Sequence, residues 1–138
     1  MKKSGLIYVI ILGVLVLAGC TGSSSGKIGY ESISMEQGMK LCKSSPDCIL
    51  VDVRTLEEYA QGHIPGAVNL PLESIGTQDP EALKNKDQLI LVYCRSGNRS
   101  KQAAGKLAAL GYSNVKEIGG ITSWTGSLKE GSQPGSKL

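Results

Sequence analysis

Hydrophobic and polar positions alternate along the chain in blocks that predict strands followed by helices. Two apolar runs rich in β-branched residues, 48–53 and 89–93, are typical of strands buried on both faces. Two shorter stretches, 67–70 and 115–118, are predicted to form further strands. Because apolar strands alternate with helical segments, the pattern predicts an α/β fold with a central parallel β-sheet and helices on both faces.

Polar capping residues mark the helix starts. Ser34 with Gln37, and Thr55 with Glu58, have capping-box spacing, which predicts one helix over 34–44 and another from 55 to near Gly62. Three further helices are predicted over 80–84, 98–110 and 121–129. The carboxyl ends of parallel strands lead into helix N-termini, so we expect the functional site there.

The N-terminus has the pattern of an export signal. Lys2 and Lys3 precede an apolar run at 6–18 that ends in Leu-Ala-Gly-Cys at Cys20, which resembles the lipobox of bacterial lipoproteins. The stretch 5–20 is 16 residues long, short of the roughly 20 that span a bilayer. We therefore expect a signal peptide over 1–19 and an acylated Cys20 on the extracytoplasmic side of a membrane. An uncleaved anchor, the alternative, tethers the domain on that side too.

Composition sets the remaining boundaries. Residues 20–29 form a Gly- and Ser-rich spacer after Cys20, 30–130 the folded domain, and 131–138 a polar flexible tail. The net charge is +3 without a long basic run or basic-aromatic patch, so nothing supports nucleic-acid binding. We expect a monomer.

Cys94 is the candidate nucleophile. It ends the second long apolar run and is followed by Arg95, Ser96, Gly97, Asn98, Arg99 and Ser100, which lead into a predicted helix. Backbone N–H groups, the helix dipole and two guanidinium groups all favour thiolate over thiol. The same loop is suited to bind an anion.

The motif at 94–100, Cys-Arg-Ser-Gly-Asn-Arg-Ser, resembles the active-site loop of rhodanese-domain sulfurtransferases. Three other stretches resemble that family in order: Asp-Val-Arg at 52–54 with Glu-Glu-Tyr at 57–59, Gly-His-Ile-Pro-Gly-Ala-Val-Asn at 62–69, and Gly-Gly-Ile at 119–121 with Trp124. The resemblance covers residues 30–130 and implies a rhodanese-like fold.

The resemblance implies a mechanism without metal or organic cofactor. The Cys94 thiolate takes the outer sulfur of a small anionic donor such as thiosulfate, and cyanide or a thiol then removes it. Backbone N–H groups of 95–100 stabilise the thiolate and persulfide, while Arg95 and Arg99 orient the donor. One of these arginines could instead pair with a surface carboxylate.

Other motif residues are interpreted as structural. A salt bridge between Asp52 and Arg54 supports the loop region, with direct catalysis the less favoured role. The single histidine, His63, belongs to a structural turn in the family rather than to a Cys–His pair, and Trp124 is core or a cleft wall.

Cys42 and Cys48 remain after lipid and catalysis are assigned to Cys20 and Cys94. They lie close together across Pro46, in a compartment where disulfides persist. The residues leave three states open: a disulfide, two free thiols, or a redox pair that takes sulfur from Cys94.

Three other functions compete with a sulfurtransferase. Phosphatases that share the rhodanese fold use a longer Cys-x5-Arg loop, whereas Cys94 to Arg99 is Cys-x4-Arg, and Tyr93 replaces their usual His. Rhodanese-like binding modules commonly lack the cysteine. A persulfide carrier for a protein partner differs in partner rather than in site, and the sequence does not separate it from an enzyme.

Overall fold

The computed structural model describes residues 29–134. The predicted signal peptide, Cys20 and nearly all of the predicted spacer lie outside these residues. Within 29–134, no helix is both long enough and apolar enough to cross a membrane.

Within residues 29–134, the domain consists of five strands and three α-helices. The strands are β1 (Glu31–Ser32), β2 (Ile49–Asp52), β3 (Val68–Asn69), β4 (Ile90–Cys94) and β5 (Val115–Gly120). The helices are α1 (Met35–Lys43), α2 (Leu56–Gln61) and α3 (Asn98–Ala109), with two short 3₁₀ turns at Leu72–Ser74 and Ile121–Ser123.

The strands form one parallel sheet in the order β1-β5-β4-β2-β3. Helix α3 packs on one face through Ala103, Ala104 and Leu107. Helices α1 and α2 pack on the other face, with Met39 and Tyr59 buried against the sheet. This confirms the predicted α/β class, and it makes β4 the central strand, fully buried along its length.

Both predicted capping boxes are present. The Ser34 side chain accepts from Gln37 N–H and the Thr55 side chain accepts from Glu58 N–H, and each partner side chain returns a hydrogen bond to the cap backbone. Helices α1, α2 and α3 therefore begin within a residue of their predicted starts.

The prediction of a helix over 80–84 is wrong. The segment makes a single turn in which Leu83 N–H donates to Pro80 O at 3.0 Å. A five-residue segment is too short to hold a helix without tertiary support. Here Leu83 is buried and its carbonyl accepts the Tyr112 hydroxyl at 2.8 Å, so packing stabilises the turn instead.

The prediction of a helix over 121–129 is also wrong. After the turn at Ile121–Ser123 the chain extends, and Lys129 pairs antiparallel with His63 through two main-chain hydrogen bonds of 2.8 and 2.9 Å. Thr, Ser and Gly dominate the segment and have low helix propensity. A Cβ at Gly126 would lie 2.5 Å from the Trp124 ring, so the extended chain packs closely against the indole.

The predicted flexible tail begins too early. Gly131 N–H donates to Ala60 O at 2.9 Å, and Pro134 O accepts from Gly66 N–H at 2.8 Å. These hydrogen bonds attach residues 131–134 to the domain.

A disulfide joins Cys42 near the end of α1 to Cys48, which immediately precedes β2. It is one of the three states that the sequence left open. Among the described cysteines, only Cys94 is free.

Candidate active site

Cys94 ends the central strand β4, and α3 begins four residues later. Gly97, at the turn between them, has a φ of +110°, in the left-handed region that favours glycine. This conformation directs the Gly97 N–H back toward the strand end, where it donates to Cys94 Sγ at 3.0 Å. The loop therefore curls around the sulfur.

The loop favours the thiolate form of Cys94. Burial of the side chain opposes ionisation, but hydrogen bonds from the Ser100 hydroxyl and from the N–H groups of Ser100, Gly97 and Ser96 outweigh it and hold the pKa of Cys94 below its usual value. A thiolate in such a cradle is the nucleophile that sulfur chemistry needs.

Strand β5 lies close to the loop that follows β4 and supports it. Gly120 pairs with Cys94 beside an irregularity in the β4–β5 ladder, and an added Cβ at Gly120 would lie only 2.0 Å from Arg95 O. Only glycine leaves room for the loop at this point. The Gly-Gly motif thus acts by bringing two main chains together.

The two loop arginines have different environments. Arg99 makes a bidentate ion pair with Glu58 at 2.6 and 2.8 Å, and its positive charge also interacts favourably with Cys94. Arg95 is exposed and forms no salt bridge within residues 29–134. Of the two loop arginines, Arg95 is therefore the one without an ion-pair partner in residues 29–134.

The other loop residues divide by burial. Ser96 and Asn98 are exposed, whereas Ser100 is buried with its hydroxyl oxygen 3.5 Å from Cys94 Sγ. Ser100 thus contacts the sulfur by both main chain and side chain, and Ser96 contributes its main chain.

Asp52 and Arg54 form a buried ion pair at the neighbouring strand end. Arg54 donates to both Asp52 oxygens at 2.6–3.0 Å and to Gly62 O at 2.7 Å. Asn69 donates to the carbonyls of Asp52 and Arg54 at 3.1 and 2.9 Å. These contacts tie β2, β3 and the end of α2 together, and they do not reach the sulfur.

His63 lies apart from Cys94. Its ring stacks on Tyr59 with centroids 3.7 Å apart, and Nδ1 is 2.9 Å from Tyr59 O. The residue is fully buried in these contacts, which hold the turn after α2.

Two carboxylates near the loop escaped the sequence interpretation. The sequence identifies Glu58 as a helix cap and as part of a family motif, and the structure shows that it also binds Arg99. Glu117 is buried and accepts hydrogen bonds from Ser100 and Gly119. A carboxylate in a strand just before Gly-Gly is a weak signal of such a role.

A groove opens beside the loop, with a volume of about 380 Å³. Its lining combines cationic, polar and apolar side chains: Arg54, Glu58, Gln61, Gly62, Arg95, Ile121, Thr122 and Leu128. No cluster of three or more His, Cys, Asp or Glu side chains suited to a metal occurs within residues 29–134.

Comparisons with known proteins identify the family. The rhodanese-like domain family model matches residues 35–127. A sulfurtransferase from Allochromatium vinosum is 46% identical over 99 residues, which are 71% of this chain and 86% of that protein. Thiosulfate sulfurtransferase PspE from Escherichia coli is 38% identical over 71 residues, 51% of this chain and 68% of that protein.

Solved structures agree with the sequence relatives. A rhodanese from E. coli, solved with anions, superposes with a TM-score of 0.56 at 33% identity, covering 61% of this chain and 99% of the other. The relatives support sulfur transfer as the general activity. The chain belongs to the rhodanese-like domain family.

Proposed function

We propose that the chain is a sulfurtransferase that moves a sulfane sulfur from a small anionic donor such as thiosulfate, through a Cys94 persulfide, to cyanide or a thiol. The observation that carries this proposal is the Gly97 N–H at 3.0 Å from Cys94 Sγ, in a loop that lowers the pKa of the thiol. The name of the related PspE supports thiosulfate as donor.

In the first half-reaction, the Cys94 thiolate attacks the outer sulfur of thiosulfate. A bond forms between the two sulfurs, the bond to the sulfonate sulfur breaks, and sulfite leaves with the electron pair. The N–H groups that bind the thiolate then stabilise the persulfide, whose terminal sulfur carries the negative charge.

In the second half-reaction, the acceptor attacks the outer persulfide sulfur and Cys94 leaves as a thiolate. Arg95 attracts the anionic donor to the mouth of the loop, because it is exposed and unpaired within the described chain. Arg99 acts mainly by joining α2 and α3 through Glu58.

A comparison of Cys94→Ser with the wild type tests the proposal. We expect the variant to lose sulfur transfer from thiosulfate to cyanide and to keep its fold, since serine preserves the side-chain shape. In the wild type treated with thiosulfate alone, the peptide that contains Cys94 should gain the mass of one sulfur atom. Near-normal turnover by Cys94→Ser would falsify the proposal.

The same preparations separate the competing functions. The Cys-x4-Arg loop is one residue shorter than that of fold-related phosphatases, so we expect negligible hydrolysis of aryl phosphates; Cys94-dependent hydrolysis would place the protein among them. Transfer rates with thiosulfate, glutathione persulfide and polysulfide show whether a free donor is used. Persulfide loading from polysulfide with no thiosulfate turnover would favour a carrier.

We also propose that the protein is exported and held on the extracytoplasmic side of a membrane by an acylated Cys20. The sequence before Cys20 and the presence of a disulfide both support this, because disulfides persist outside the cytoplasm.

A further inference from the structure

Glu117 is a buried carboxylate that the reaction described above leaves without a role. It lies on β5, is 3% exposed, and its Oε1 is 2.6 Å from Ser100 Oγ. Ser100 Oγ is in turn 3.5 Å from Cys94 Sγ. A line of three polar groups therefore leads from the sulfur into the interior of the domain.

The Ser100 hydroxyl has one hydrogen and several possible acceptors. Glu117 Oε1 lies at 2.6 Å, Gly97 O at 2.9 Å and Gly119 O at 3.3 Å. A carboxylate is the strongest of these acceptors, and here it is also the nearest. When Ser100 donates to Glu117, its lone pairs are free to accept the Cys94 S–H.

We propose that Glu117 is a positioning residue that stores the proton of the Cys94 thiol, acting through Ser100. The Cys94 S–H bond breaks as an O–H bond forms on Ser100, while the original Ser100 O–H bond breaks and its proton binds Glu117 Oε1. The negative charge moves from carboxylate to thiolate, and no other reactant is consumed.

This transfer has two physical advantages. Both hydrogen bonds persist in the product state with their directions reversed, so Cys94, Ser100 and Glu117 remain hydrogen-bonded to one another. The thiolate also forms without a change in the net charge of the site. The inference rests on the proposed function only in taking Cys94 as the reacting thiol.

Within residues 29–134, the elements packed around this line of groups place few other charges beside it. The residues opposite Glu117 are Ser32 on β1 and Val92 on β4, both uncharged. On α3 the nearby charge is Arg99, which pairs with Glu58 and also interacts favourably with Cys94, and Arg95 in the loop is exposed. Helix α1 packs on the opposite face of the sheet.

The proposal predicts how Cys94 titrates. Two coupled groups lose their protons in two macroscopic steps that belong to the pair. The alkylation rate of Cys94 by iodoacetamide, read from the mass of its peptide in the full-length protein, should therefore rise with pH in two steps. In Glu117→Gln it should rise in one step, at a pH below the upper step of the wild type, because a negative neighbour is gone.

The magnitude follows from how the proton is shared. Between the two steps, only molecules whose proton lies on Glu117 have a thiolate, so Glu117→Gln should react faster there, and a difference of about twofold corresponds to a proton shared equally by the two groups. At higher pH the two rates should converge. Glu31→Gln removes the same charge from the neighbouring strand, where Glu31 pairs with Lys116 at 2.5 Å, and should follow the wild-type profile.

One result would overturn the proposal: a single wild-type step, whether Glu117→Gln leaves it in place or moves it. Glu117 would then serve only to bind Gly119 N–H, which it accepts at 2.7 Å. Because alkylation needs no sulfur donor, this failure is separate from any failure of sulfur transfer.

A measurement on proteins that keep Glu117 covers the case in which Glu117→Gln does not fold. Between the two steps, the infrared spectrum of the wild type should contain the carbonyl band of a buried carboxylic acid. The band should disappear when Cys94 is alkylated and be absent from Cys94→Ser, whose hydroxyl keeps its proton. A wild-type spectrum without the band would contradict storage of the proton on Glu117.

Discussion

At the scale of single residues, two cations in one loop differ because one has a partner and the other has none. Arg99 is about one-third exposed and held by Glu58 through two hydrogen bonds. Arg95, which directly follows the end of β4, is exposed without an ion-pair partner in the described chain. Only Arg95 can move to meet an incoming anion.

Arg95→Ala should therefore raise the KM for thiosulfate, by about fivefold, the equivalent of about 1 kcal/mol for an exposed charge. The KM for an uncharged persulfide should change less. Steady-state kinetics with both donors checks this, with Lys40→Ala as a control that removes an exposed cation on α1. Equal KM values for wild type and Arg95→Ala would mean that main-chain N–H groups alone bind the anion.

At the scale of elements, the site depends on how closely β5 approaches the loop after β4. The register of β4 with β5 shifts between Val92 and Cys94, and this shift places Gly120 against the Arg95 carbonyl. Because main chain meets main chain there, no side-chain rotation relieves a clash.

We expect Gly120→Ala to destabilise the fold by about 1–3 kcal/mol, the usual cost of overpacking, and to abolish most sulfur transfer by displacing the loop. Chemical denaturation and turnover measure the two effects. Gly76→Ala is the matched control, because a Cβ at Gly76 has no atom within 4 Å. Similar stability and activity in both variants would show that the loop tolerates the added methyl group.

Helices α2 and α3 are joined by one carboxylate. Glu58 accepts from Thr55 N–H at 3.0 Å as part of the α2 cap and also binds Arg99 at the start of α3. The hydrogen bond from Arg99 outweighs desolvation, and the pKa of Glu58 falls from 4.5 to about 2.

This lowered pKa gives the domain a defined pH dependence. A group whose pKa is lower in the folded state stabilises the fold above its unfolded pKa, and loses that stabilisation as pH falls through its folded pKa. Stability should therefore decline between about pH 4.5 and 2. Denaturation midpoints across this range should fall less steeply for Glu58→Gln than for the wild type or for Glu57→Gln, the exposed neighbour. Parallel slopes in all three proteins would contradict the assignment.

At the scale of the whole molecule, the features that could be predicted from the sequence are those that depend on residues close together in the chain. The Cys94 loop, both capping boxes and the long strands depend on neighbouring residues and on burial periodicity, so they were predictable. The partners Glu58–Arg99 and Glu117–Ser100 lie 41 and 17 residues apart, and only the packed sheet brings them together. The prediction of a helix over 121–129 was wrong for the same reason, because the pairing of this segment with His63 is a tertiary contact.

The proposed anchor and the oxidation state of the cysteines both depend on export. Processing at Leu-Ala-Gly-Cys should leave Cys20 acylated, so labelled palmitate should enter the wild type and not Cys20→Ala, which should accumulate as precursor. In the mature protein, Cys94 is then the one thiol that reacts before reduction, and Cys42 and Cys48 raise the number to three afterwards.

The two parts of this prediction fail independently. Reduction of the disulfide should lower the free energy of unfolding by about 2 kcal/mol, since the closed loop is short. Three reactive thiols without reductant, in protein made in an oxidising compartment, would contradict the disulfide and leave the anchor intact. Palmitate that persists in Cys20→Ala would instead exclude Cys20 as the acylated residue. The chemistry of Cys94 would be unaffected by either result, because Cys94 and the disulfide residue Cys48 lie at opposite ends of the parallel strands.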